Sequence, residues 1–254
     1  MLVDTHSHIY AAEFDADRAQ MMERAKANGV SLVLMPNIDS RSIDAMHQVE
    51  KDFPNCRSMM GLHPTSVKED MEQELKIIES HLFSRPYYGV GEIGIDLYWD
   101  KTFKDRQMEA FRVQLQWAQK LSLPVVIHCR EAFPEVFGVV DLVHDSRLRG
   151  VFHSFGGGVD ELKRIAEYKT FKIGINGIVT FKKNILPEVL LHADSSLVLA
   201  ETDAPYLAPH PHRGTRNEPG YVKLVVQKLA QVYDMPFDEM VRVLGQNTKA
   251  IFNV

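Results

Sequence analysis

The sequence predicts an α/β chain folded as a (β/α)8 barrel, and three observations predict it. Short apolar runs, several rich in β-branched residues, alternate with longer amphipathic stretches. Eight such runs occur, with seven helical segments between them and further helix after the last. The chain length of 254 residues suits eight such units as one domain, residues 1–254. Strands alternating with helices imply parallel βαβ units. An open doubly wound sheet is the competing arrangement, but it explains less well why polar residues gather at so many strand ends.

The elements follow in order. LVDTHSH (2–8) is the first strand. DADRAQMMERAKANG then places Met21, Met22 and Ala25 on one side of a helix. Its Asn28-Gly29 end reads as a stop, because Gly tolerates the left-handed C-terminal position. SLVLMPN (31–37), CRSMMGLHP (56–64) and YYGVGEIGID (87–96) are strands two to four. FKDRQMEAFRVQLQWAQKL (103–121) is the clearest helix, with Met108, Phe111, Leu115 and Ala118 in one stripe. PVVIHC (124–129), GVFHSF (150–155), FKIGING (171–177) and SLVLAETD (196–203) complete the eight strands.

Composition narrows the function classes. With 45% hydrophobic and 25% charged residues the chain is an ordinary globular sequence. Runs such as VSLVLMP and LPVVI are too short to span a bilayer. The first residues, broken by Asp4, His6 and His8, do not resemble a secretory leader. Cys56 and Cys129 form no framework, so a cytoplasmic protein with reduced thiols is expected. A net charge of −5 argues against a broad basic face for duplex DNA. It leaves room for a strand end entering a local pocket that holds metal cations.

In a (β/α)8 barrel the chemistry sits at the C-terminal ends of the strands. The first strand ends with His6 and His8, the third with His63, and the fourth carries Glu92 and Asp96. The fifth ends with His128 and then Arg130, the sixth holds His153, and the eighth ends with Glu201 and Asp203. Parity agrees: Val126-His128-Arg130, Val151-His153-Phe155 and Leu199-Glu201-Asp203 each share a strand face.

Each signal alone has an ordinary explanation: His-x-His as hydrogen-bonded side chains, His63-Pro64 as a loop, Asp203 as a helix cap. Jointly, those explanations must hold independently on five strands. Imidazoles and carboxylates suit ions such as Zn²⁺ and Mn²⁺, whereas Mg²⁺ prefers oxygen ligands and water. Four histidines and at least two carboxylates exceed the needs of one tetrahedral ion. They match a pair of ions sharing a carboxylate, of the kind that hydrolyses phosphoesters.

Other residues receive plainer readings. His47, His81, His144 and His192 lie in helical patterns and are expected at the surface. The Pro-rich loop at 205–219 carries His210, His212, Arg213 and Arg216 and should overhang the barrel mouth, where its arginines could contact phosphate. Tyr98, Trp99, Phe133 and Tyr206 lie in or near loops, positioned for base stacking or for plain packing.

DTHSH, GLHP, GEIGIDLYW, HCR, HSFGG, NGIVTFK, ETDAPYLAP, HRGTRNEP and QNTKAIF occur in this order from Asp4 to Phe252. In this the chain resembles the TatD family of metal-dependent deoxyribonucleases. The resemblance implies a TIM-barrel metal hydrolase that binds two divalent ions (Mg²⁺, Mn²⁺ or Zn²⁺). It implies ligation by His6, His8, Glu92, His128, His153 and Asp203, with Glu92 bridging. Ser7, and the Ser of HSFGGG, stand where relatives often carry Cys. Neither change removes a ligand, and both leave substrate preference open.

The expected reaction is phosphodiester hydrolysis of single-stranded or frayed DNA ends, with RNA as a further candidate substrate and no membrane partner. Asp203 would take a proton from water, Arg130 and His63 would contact phosphate, and Asp4 would orient a ligand imidazole. Glu201 would do likewise or bind a further ion. Two rivals are a hydrolase of small phosphoesters, amides or lactones on the same scaffold, and a non-catalytic metal-bearing nucleic-acid-binding module. The fourth strand lacks the Lys that the wider amidohydrolase group often carries there, which favours the nuclease.

Overall fold

The computed structural model describes residues 1–254. Eight strands are present: β1 (Leu2–Asp4), β2 (Val30–Pro36), β3 (Cys56–Met59), β4 (Val90–Asp96), β5 (Val125–Arg130), β6 (Gly150–Phe152), β7 (Phe171–Ile175) and β8 (Val198–Ala200). The helices α1 (Arg18–Ala27), α2 (Ile43–Asp52), α3 (Met71–Leu82), α4 (Lys104–Leu121), α5 (Phe133–Val143), α6 (Val159–Glu167) and α7 (Leu186–Leu190) fill the seven gaps. Helices α8 (Val222–Val232) and α9 (Phe237–Phe252) follow the last strand. No helix is long and apolar enough to cross a membrane.

All strand pairs are parallel, in the orders β1-β2-β3 and β4-β5-β6-β7-β8. The two sheets meet at two narrow seams, a bridge from Met60 to Val90 and one from Ser7 to Ala204. The α/β fold therefore has the predicted strand order, but the hydrogen-bonded ring is not an unbroken ladder. At the β8–β1 seam both strands are only three residues long. Their continuations, expected as strand, turn away to carry site residues, and Asp203 has a left-handed φ of 59°.

The apolar residues divide into two layers. One cluster comprises Val3, Leu32, Leu34, Met59, Val126, Val151 and Leu199, with Ile251 and Phe252 of α9. Val126, Val151 and Leu199 have the inward parity the sequence suggested, and with the other residues of this cluster they form the packed floor beneath the polar strand ends. The larger cluster lies between strands and helices and includes Phe111, Leu115 and Ala118 of α4. The buried stripe of α4 also holds Gln107 and Gln114. They bond backbone at and beyond the strand ends, with Gln107 Oε1 accepting from Asp96 N–H at 2.8 Å and Gln114 pairing with Leu62. Helix α1 buries Met21, Met22 and Ala25 and stops before Gly29, whose φ of 87° needs glycine.

Candidate metal centre

The strand ends converge on one buried carboxylate. Glu92, 2% exposed, projects from the middle of β4. Its Oε2 lies 3.1 Å from His6 Nε2 and 3.4 Å from His8 Nε2. Its Oε1 lies 2.7 Å from His153 Nε2, 2.8 Å from His128 Nδ1 and 3.2 Å from His63 Nε2. Asp203 Oδ1 stands 3.7 Å from His6 Nε2 and 3.6 Å from His8 Nε2. The two Glu92 oxygens thus face two different sets of imidazoles.

Hydrogen bonding fixes which histidine nitrogens carry protons. Tyr10 Oη donates its only hydrogen to the Pro36 carbonyl at 2.6 Å. It can therefore only accept from His8 Nδ1, 2.9 Å away, so that nitrogen holds the hydrogen of the neutral ring. His8 Nε2 is left with a lone pair aimed at Glu92 and Asp203. His63 is arranged the other way. Its Nδ1 accepts from the Thr65 backbone N–H at 3.1 Å, so its neutral ring carries the hydrogen on Nε2. His63 therefore offers the centre a donor, and its nearness to Glu92 and His128 does not make it a ligand in this tautomer.

The donor set fits divalent cations. His8 Nε2 and Glu92 Oε2 are both acceptors, and a cation between them removes the repulsion. His6 Nδ1, His153 Nδ1 and Glu201 Oε2 are buried without hydrogen-bond partners. The charge balance points the same way. Burial alone would raise the Glu92 carboxyl, but His153, His63 and His6 hold it well below the usual range. Burial pulls His153 down, yet Glu92 and Glu201 outweigh it and raise it well above an ordinary histidine. A place that favours a proton on His153 favours positive charge in general. Burial pushes the Asp203 carboxyl up to about 6 and drives His6 well below its usual value.

Two carboxylates support the cluster. Asp96 Oδ2 lies 2.8 Å from His128 Nε2, fixing that ring between β4 and β5. In the sequence Asp96 stands at a strand end with no assigned role, although it shares strand parity with Glu92 four residues earlier. Burial lowers His128, but the Asp96 and Glu92 contacts together raise it. Glu201, fully buried, accepts from the Ser154 backbone N–H at 2.5 Å and lies 3.5 Å from His153 Nδ1. Gly174 makes this possible, because a Cβ there would stand 2.2 Å from Glu201 Oε2. The stacked rings of His6 and His153, 3.8 Å apart, share Glu201 beneath them.

Several expectations need correction. Asp4 does not orient an imidazole. Its oxygens accept from Thr202 N–H at 2.8 Å and Thr202 Oγ1 at 2.6 Å, clamping the turn after β8 to β1. Phe133 heads α5 and packs on Phe137 and Phe155, away from any base-stacking role. Arg216 is held by Asp17 at 2.7 and 2.8 Å and is not free for phosphate. His212 stacks on Tyr221. His144 caps α5 and hydrogen-bonds Thr170 at 3.0 Å, and His47 bonds Tyr87 at 2.9 Å, so neither is a bare surface residue.

The centre opens into a cavity of about 420 Å³ lined by His8, His63, Glu92, Asp96, His128, Arg130, His153 and Asp203, with Trp99 and Tyr206 at the mouth. Arg130 lies 3.9 Å over the Tyr98 ring and 5.4 Å from that of Trp99. Tyr98, Trp99 and Tyr206 are 48%, 70% and 51% exposed, far more than buried packing would leave.

The chain is similar to known proteins over its whole length. The model for the TatD related DNase family matches residues 3–253. The chain is 34% identical to YabD of Bacillus subtilis, named a metal-dependent hydrolase, over the full length of both. It is 26% identical to TatD of Pectobacterium atrosepticum, named a 3'-5' ssDNA/RNA exonuclease, again over both full lengths. The crystal structure of YjjV, a TatD homologue from Escherichia coli, superposes with a TM-score of 0.94 at 27% identity, covering 100% of this chain and 98% of that one. The chain belongs to the TatD family of metal-dependent hydrolases, enzymes acting on ester bonds.

Proposed function

We propose that the protein is a divalent-metal-dependent nuclease that hydrolyses phosphodiester bonds at the ends of single-stranded or frayed DNA, with RNA as a further substrate. His6, His8, Glu92 and Asp203 would hold one ion, and Glu92, His128 and His153 the other. Two ions there would supply Lewis acidity toward the phosphate and an acidified water.

The protein's own groups do the rest. Asp203, lifted to about 6 by burial, takes the proton of the attacking water. His63, lowered by burial, stays neutral at pH 7; its Nε2–H lies 3.2 Å from Glu92 in the metal-free centre and would turn to a phosphate oxygen once cations engage Glu92. Asp96 holds His128 against rotation through a 2.8 Å contact, and the Glu201 carboxylate, 3.5 Å from His153 Nδ1, favours positive charge on that ring. Arg130 neutralises the phosphate, while Tyr98, Trp99 and Tyr206 present ring faces to unstacked bases.

The observation that carries the reading is Arg130. It is the only Lys or Arg lining the cavity, it forms no ion pair, and it lies against exposed aromatic rings. An anion joined to planar groups fits that mouth better than a neutral amide or lactone. The relative named as a single-strand exonuclease supports the same substrate class.

The test is digestion of end-labelled DNA and RNA strands across Mg²⁺, Mn²⁺ and Zn²⁺, beside a panel of p-nitrophenyl diesters, amides and lactones. Stepwise shortening of single strands, lost in Glu92→Ala and His128→Ala, is expected. Amide or lactone turnover far above strand cleavage would overturn the reading. Strand binding without cleavage in metal-loaded protein would point instead to a binding module.

A further inference from the structure

A second concavity, of about 530 Å³, lies beside the loop that follows β8. Phe181, Lys182, Lys183 and Asn184 of the segment after β7 line it, with His210 and Arg213 of the β8 loop. No acidic residue faces it, although the chain as a whole carries a net charge of −5. Lys182, Lys183 and Arg213 are exposed and pair with no carboxylate. The Arg213 guanidinium lies 4.0 Å over the Phe181 ring and forms no ion pair, so its N–H donors are not engaged by a carboxylate.

The concavity is joined to the metal centre through one loop. Leu207 lines the catalytic cavity. On its other side the backbone at Gly177 packs so closely that a Cβ there would stand 2.1 Å from the Leu207 carbonyl. Thr180 Oγ1 accepts from the His210 backbone N–H at 2.8 Å, tying the β7 segment to the same loop. Leu207 of the cavity wall and Arg213 of the concavity are thus six residues apart on one loop.

We propose that this concavity is a phosphate-binding subsite for the backbone of a single-stranded nucleic acid whose terminal residue occupies the metal centre. The subsite rests on the nuclease reading. It adds that affinity grows with strand length, because phosphates beyond the scissile one are held by Lys182, Lys183 and Arg213. Such contacts are independent of base sequence and depend steeply on salt.

The test uses the triple variant Lys182→Ala, Lys183→Ala, Arg213→Ala and single-stranded DNA of 2 to about 12 nucleotides. Binding of labelled strands is followed by fluorescence anisotropy in EDTA, and KM in Mn²⁺. In the wild type, affinity should rise with length. In the variant the rise should shrink about tenfold or more, and the log–log salt slope should flatten by about 2, the value for three single-strand phosphate contacts. An undiminished length advantage and salt slope in the variant overturn the subsite while leaving the nuclease reading intact. Wild-type protein that binds strands through these residues but cuts none overturns the nuclease reading and keeps the subsite. Wild-type protein with no affinity for strands overturns both.

Discussion

At the His8 corner of the cup, Tyr10 takes the hydrogen of Nδ1 and passes its own to the Pro36 carbonyl, so Nε2 faces Glu92 with a lone pair. At the His63 corner, the Thr65 backbone N–H occupies Nδ1, so Nε2 faces Glu92 with a hydrogen. The two nitrogens lie 3.4 and 3.2 Å from the same carboxylate, and distance alone would give them the same role. The hydrogen bond on the far side of each ring separates them. One corner is prepared for a cation, the other for an anion.

The largest expected effect removes the group both corners share. Glu92→Gln should lower kcat/KM by on the order of 10⁴-fold and abolish stoichiometric binding of both ions, checked by strand cleavage and metal analysis. A variant that keeps two tight ions would show that Glu92 does not bridge.

The next effect separates the corners. His8→Ala should lose one equivalent of metal. His63→Ala should keep both and lose about 10²- to 10³-fold in kcat, the usual loss for one donor to developing charge. His63→Gln, which restores an N–H, should recover part of it. Metal loss in His63→Ala would erase the contrast.

Smaller effects probe the groups behind the rings. Tyr10→Phe frees the His8 ring and should weaken metal binding about 10- to 100-fold, read by competition with a chelating dye. Glu201→Gln should act similarly through His153, which lies 3.5 Å from the carboxylate. Unchanged metal affinity in both would mean the rings are held by packing alone.

The mildest test is pH. Metal-free Asp203 titrates at about 6, so protons compete with metal below that value. Apparent metal affinity should fall as pH drops through 6, while above 6 the raised His153 and His128 keep protons in competition with metal. Stability of the metal-free protein has the opposite sign. The folded carboxyl holds its proton more tightly than the unfolded one at 3.8, so this group's contribution is present below 3.8 and lost as pH rises through 6. Thermal melts with and without Mn²⁺ at pH 5 and 7 check both signs. Equal metal affinity at the two values would place the base elsewhere.

The sequence by itself determined the α/β alternation, the eight strands and the convergence of strand-end histidines with Glu92. These follow from local periodicity and from the rule that barrel strands point their C-terminal ends one way. Parity made Val126, Val151 and Leu199 the floor and His128 and His153 the rim, as observed. Asp96 was legible by the same parity but carried no partner in sequence, because its imidazole lies on the neighbouring strand.

Only the tertiary structure decided what each polar residue does. Asp4 clamps Thr202, nearly 200 residues away, because the first and last strands are neighbours across the seam. Arg216 is spent on Asp17, while Arg213, three residues earlier, stays unpaired. His8 and His63 differ by a tyrosine hydroxyl and a backbone amide that only the fold places behind each ring. Residue type and spacing fix which atoms can reach a site. The proton each atom brings depends on the second partner, and folding alone chooses that partner.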